Sequence, residues 1–78
     1  MRAVTVKGQE DTLKAELRAD VSLIADIMER GRYVGELTYE LDVTGAELAS
    51  LIARYEPNAP WASQITPHHG YTVRAYDW

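Results

Sequence analysis

The stretch from Thr12 to Arg30, TLKAELRADVSLIADIMER, decides how the rest of the chain is read. From Leu13 to Ile27 every odd position is apolar (Leu13, Ala15, Leu17, Ala19, Val21, Leu23, Ala25, Ile27), which is the period of a half-buried strand. A helical stripe of Leu13, Leu17, Val21, Ile24 and Met28 runs through the same residues, and the Ala, Glu, Leu, Lys and Arg content favours a helix. A single helix would, however, place Asp20 in the middle of its apolar face. Splitting the segment removes the conflict. Thr12 to Ala19 then pairs with a preceding strand as a hairpin. Asp20 caps a short helix with Leu23, Ile24, Ile27 and Met28 on one face, and Gly31 stops it. One continuous helix from Thr12 to Arg30 is the competing arrangement.

The preceding strand is short. Arg2, Val4 and Val6 oppose Ala3, Thr5 and Lys7, and Gly8-Gln9-Glu10-Asp11 supplies turn chemistry. Downstream, Arg32 to Val43, RYVGELTYELDV, is the clearest strand in the sequence and reads as one element. Tyr33, Leu37, Tyr39, Leu41 and Val43 take one side; Glu36, Thr38, Glu40 and Asp42 take the other. Gly35 interrupts the apolar side and marks a bulge or a close backbone approach. The wet, acidic side implies a sheet covered on one face only.

Thr44-Gly45-Ala46-Glu47 is a capping box, with Val43 and Leu48 spaced as a hydrophobic staple. The helix it opens buries Leu48, Leu51, Ile52 and Tyr55, and Pro57 ends it by disfavouring helical geometry at Glu56. A last strand runs from Tyr71 to Trp78, with Tyr71, Val73 and Ala75 on one side and Thr72, Arg74, Tyr76 and Trp78 on the other. The order strand-strand-helix-strand-helix-strand predicts a single small α+β domain over residues 1–78. Its sheet is mainly antiparallel, of about three or four strands, with the helices packed on one face.

Between the second helix and the last strand lies Glu56 to Gly70, EPNAPWASQITPHHG, which holds all three prolines, both histidines and Trp61. It is too Pro-broken to be helix or strand. Structureless loops of this length are uncommon in compact domains and often carry function when ordered.

Composition narrows the functional classes. There are no cysteines, so neither disulfides nor thiolate metal sites staple the fold, and a reducing, cytoplasmic setting fits. MRAVTVKGQED does not read as a signal peptide, and no apolar run suits a bilayer. The net charge of -4, from 12 acidic and 8 basic residues, argues against direct nucleic-acid binding and suits a partner with a basic surface. Six arginines against two lysines, with abundant alanine, match the usage of a GC-rich bacterial genome or one of its phages.

Chemistry-bearing motifs are sparse. His68 and His69 are the two imidazoles, and as neighbours in extended chain they point to opposite sides, which does not suit one metal ion. Ser63 with His68 or His69 and Asp77 could be drawn as a hydrolytic set, yet no elbow glycines flank Ser63. The five glycines are isolated and form no phosphate cradle. No cofactor and no catalytic residue are expected.

Two features stand above this background. Glu36, Glu40 and Asp42 form a carboxylate row on one strand face, suited to a cationic partner or else balanced across the sheet by Arg74 or Arg18. Trp61, Tyr76 and Trp78 are aromatics off the main core, suited to an interface or else packed together under the loop. Together with His68 and His69 they outline the partner-binding surface of a non-enzymatic, acidic inhibitor or modulator of a protein such as nucleic-acid-handling machinery. Self-association through a sheet edge, as a homodimer or assembly subunit, is the alternative.

Overall fold

A computed structural model describes residues 2–8, 13–18 and 20–77, with the side chain of Arg2 excepted. The turn expected at Gln9-Glu10-Asp11, the positions Thr12 and Ala19, and Trp78 lie outside the described residues. The elements in chain order are β1 (Arg2–Gly8), β2 (Lys14–Leu17), α1 (Val21–Arg30), β3 (Arg32–Gly35), β4 (Thr38–Thr44), α2 (Gly45–Tyr55), a 3-10 helix (Pro60–Gln64) and β5 (Gly70–Asp77).

The split at Asp20 holds. β2 pairs with β1 in antiparallel register, Val4 opposite Leu17 and Val6 opposite Ala15. Asp20 has extended backbone, and its carboxylate accepts from the amides of Ser22 at 2.8 Å and Leu23 at 3.4 Å. Those are two of the donors a helix start leaves unpaired. The helix closes at Gly31, whose amide donates to the Ile27 carbonyl at 2.7 Å. Gly31 also lies so close to the Glu40 carbonyl that a side chain there would collide with backbone. Asp20 therefore stays out of the apolar face, and Leu23, Ile24 and Ile27 are buried.

The stretch Arg32 to Val43 departs from expectation. It is not one strand but a hairpin, β3 and β4, turning at Glu36-Leu37. The α+β class stands, while the sheet has five strands instead of three or four, all antiparallel, in the order β2-β1-β5-β4-β3. The last strand in sequence lies at the centre, between β1 and β4.

Both helices cover one face. Val4, Val6, Leu17, Val43, Tyr71, Val73 and Ala75 from the sheet and Leu23, Ile24, Ile27, Leu48, Leu51 and Ile52 from the helices form a single core. Even-numbered positions of β5 and β4 carry Thr72, Arg74, Tyr76, Glu40 and Asp42 to the opposite, uncovered face. Among the described residues no helix is long and apolar enough to cross a membrane.

The segment after α2 is more ordered than its prolines suggest, since Pro60 to Gln64 forms a 3-10 helix with proline at its start. Fixed φ and a missing amide are tolerated in a first helical turn.

Candidate functional site

The hairpin β3–β4 is where the chain exposes apolar side chains. Tyr33 is 55% exposed, Val34 45% and Leu37 51%, three of the four large apolar residues left in solvent among the described residues; Val21 is the other. Gly35, Glu36 and Leu37 all have positive φ, at 106°, 53° and 55°. Positive φ at both central residues matches the twist of a two-residue hairpin, but Asn-Gly or Asp-Gly usually occupies it. For Glu and Leu that geometry costs roughly 1 kcal/mol per residue or more.

Hydrogen bonds hold the turn in place. The Leu37 amide donates to the Tyr33 hydroxyl at 3.1 Å, the Thr38 hydroxyl donates to the Glu36 carbonyl at 3.2 Å, and the Asp77 amide donates to the Leu37 carbonyl at 2.9 Å. Thr38 is buried at 7% exposure, and the Tyr33 ring meets Tyr39 edge-on at 5.2 Å between centroids. The tip is thus braced from β3, β4 and β5, with Leu37 half-exposed on it.

Beside the hairpin, the uncovered face carries a charge ladder. The Arg74 guanidinium donates to Glu40, whose other oxygen accepts from Arg32 at 3.3 Å. Arg32 also reaches Asp42 at 3.3 Å, and Asp42 accepts from the Thr72 hydroxyl at 3.1 Å. Register explains the alignment, since Glu40 lies opposite both Arg74 and Arg32. Hydrogen bonds to Glu40 and then to Tyr76 hold the Arg74 pKa above the usual arginine value, so its charge is fixed.

The carboxylates expected to act together are therefore divided. Glu40 and Asp42 share a face, but Glu40 sits between two arginines, with Arg74 in the balancing role the sequence suggested and Arg32 joining it, and Asp42 pairs with Arg32. Arg18 instead pairs with Asp20 at 3.8 Å. Glu36 is not on that face; it occupies the exposed hairpin turn next to Leu37.

The proline-rich segment is tied to the scaffold. Trp61 is half-buried and packs on the core, on the opposite side of the sheet from Tyr76. His68 and His69 are exposed, and His69 contributes backbone: its carbonyl accepts from the Gly45 amide at 2.9 Å, pairing a donor at the start of α2. The Thr66 amide donates to the Tyr71 hydroxyl at 2.8 Å. The Ser63 hydroxyl turns to the Pro60 carbonyl at 3.5 Å, within its own 3-10 helix. Among the described residues no group of three or more His, Cys, Asp or Glu is arranged to hold a metal ion.

Sequence reasoning passed over Tyr33, Val34 and Leu37. The available signal was Gly35, which breaks the apolar side of an otherwise regular alternation two residues before the tip. No protein-family model, curated protein or solved structure matches this chain.

Proposed function

We propose that this chain is a non-enzymatic protein-binding domain, a small modulator that docks on another protein through its β3–β4 hairpin. The observation that carries this reading is the exposure of Tyr33, Val34 and Leu37 on a turn held at positive φ by bonds from three strands. A non-glycine tip kept in a costly conformation with its apolar side chain outward suits contact better than stability. The partner offers an apolar socket for Leu37 with a cation on its rim to meet Glu36. The basic surface expected of the partner thus narrows to the neighbourhood of one acid. A cytoplasmic setting belongs to the same proposal.

The test is affinity capture from lysates of GC-rich bacteria, comparing wild type with Leu37→Asp, Val34→Asp, Trp61→Ala and, as an exposed control, Val21→Asp. A partner held by wild type and Val21→Asp but released by both hairpin variants supports the reading. A partner that survives both hairpin variants, or is lost only with Trp61→Ala, overturns it.

Self-association is the second reading, favoured by one feature: β3 is an edge strand of the sheet with apolar side chains exposed along it. Light scattering at rising concentration separates the two, since a dimer abolished by Leu37→Asp would assign the same hairpin to a second copy.

A further inference from the structure

We infer that β2 pairs edge to edge with β2 of a second copy of this chain, joining two sheets into one. This edge is remote from the hairpin, which lies at the other side of the sheet in the order β2-β1-β5-β4-β3. The pairing does not depend on the reading given for the hairpin.

The backbone leaves the edge open at two residues. The Gly8 amide donates to the Leu13 carbonyl at 2.6 Å, so the polar groups of Leu13 face β1. Alternation turns those of Ala15 and Leu17 the same way, and those of Lys14, Glu16 and Arg18 outward. At Arg18 the chain closes its own edge, since the outward amide donates to the Glu56 carboxylate at 2.9 Å. No described residue meets the outward amides of Lys14 and Glu16. Unpaired groups of this kind are a template for another strand.

Charge selects the strand that fits. Lys14 and Glu16 are exposed and share the uncovered face, while Leu13 and Leu17 are buried on the other. An antiparallel pair with its two-fold axis at Ala15 sets Lys14 of each copy opposite Glu16 of the other. Both residues face outward, so each such pair exchanges backbone hydrogen bonds and opposite charges together. Ala15 meets its own copy at the axis, where opposed side chains come closest, and a methyl group fits there.

Other registers fail. An axis at Lys14 opposes lysine to lysine; an axis at Glu16 opposes glutamate to glutamate and Lys14 to Arg18. An axis between two residues sets outward backbone against inward backbone, and no ladder forms. A lysine on an edge ordinarily repels a second strand, and Glu16 cancels that repulsion for this chain in one register alone. The two-fold also makes the contact isologous, so it closes at a dimer.

The test is sedimentation equilibrium of the full chain at low salt, at concentrations up to about 1 mM, which reaches weak specific contacts. Wild type is expected to form a dimer. Lys14→Glu and Glu16→Lys each weaken it about tenfold or more, because both symmetry-related pairs become repulsive. An equimolar mixture of these two variants restores it, since the two reversed positions then oppose each other and the two native ones do likewise. Rescue also shows that both variants fold. Each remains net negative, shifting a total of -4 by two charges, so bulk attraction does not account for it. Leu37→Asp leaves the dimer unchanged. A wild type that stays monomeric overturns the pairing, as do single variants that dimerise like wild type, a mixture no tighter than its components, or a dimer that Leu37→Asp removes.

Discussion

The hydroxyl of Tyr33 accepts a hydrogen bond from the amide of Leu37 at 3.1 Å, so a side chain of β3 closes the turn that separates it from β4. The same tyrosine is half-exposed and meets Tyr39 edge-on. Stability and presentation of the tip are thus joined in one residue. Tyr33→Phe keeps the ring contact and removes the acceptor. Urea unfolding of this variant should show a loss of about 0.5–1 kcal/mol, the worth of one partly solvated hydrogen bond. No loss at all would mean that the backbone holds the turn without the hydroxyl.

The turn also predicts a trade between stability and binding. Replacing Glu36-Leu37 with Asn-Gly supplies the residues that this geometry prefers, relieving the strain and raising stability by about 1 kcal/mol or more. The same change removes Leu37 and Glu36 from the proposed contact. A variant that is more stable but no longer retains the partner is the expected outcome. If it is more stable and binds as before, the exposed leucine has no part in recognition.

Why the hairpin is invisible in the sequence is a matter of periodicity. Tyr33 lies opposite Tyr39 because the register shift between Tyr33 and Gly35 offsets the parity change of the two-residue turn, so both face the side they would share in one straight strand. Alternation in RYVGELTYELDV is therefore preserved by either arrangement, and turn chemistry alone can distinguish them. Glu36-Leu37 has none. At Asp20 the situation is reversed: a polar residue inside an apolar stripe, with a side chain suited to capping, breaks the tie between strand and helix. The candidate surfaces were less legible than the elements. That Arg74 lies beside Glu40 follows from β5 pairing with β4, a contact between residues distant in the chain that spacing along it does not state.

The charge ladder yields unequal couplings. Glu40 is mostly shielded, with 13% of its side chain exposed, while Arg32 and Asp42 are 65% and 62% exposed. A double-mutant cycle on Glu40→Gln and Arg74→Met should give a coupling of about 1 kcal/mol that persists in high salt. The corresponding cycle on Arg32 and Asp42 should give no measurable coupling once salt is added. Equal couplings, or loss of the Glu40 term at high salt, would place the whole ladder in bulk-like solvent.

The proline-rich segment acts on α2 through backbone, which is tested at Gly45. A side chain at this position would strike the Thr66 carbonyl and approach the Pro67 Cα to 2.7 Å, backbone atoms that cannot rotate away. Gly45 also donates its amide to His69 at 2.9 Å, so segment and helix start are held in register. Gly45→Ala should therefore destabilise by about 1–3 kcal/mol, as forced overpacking does, although alanine favours helix on propensity. For a domain this small, with a total stability of roughly 4–12 kcal/mol, that is a large fraction. Thr44→Ala, which removes only the capping hydroxyl, should cost about 1 kcal/mol. The two variants also separate by position in hydrogen exchange. Gly45→Ala should raise exchange at Tyr71 and Gly70, where the segment rejoins the sheet, whereas Thr44→Ala should raise it in the first turn of α2 alone. Identical exchange maps would mean that the segment follows the helix rather than bracing it.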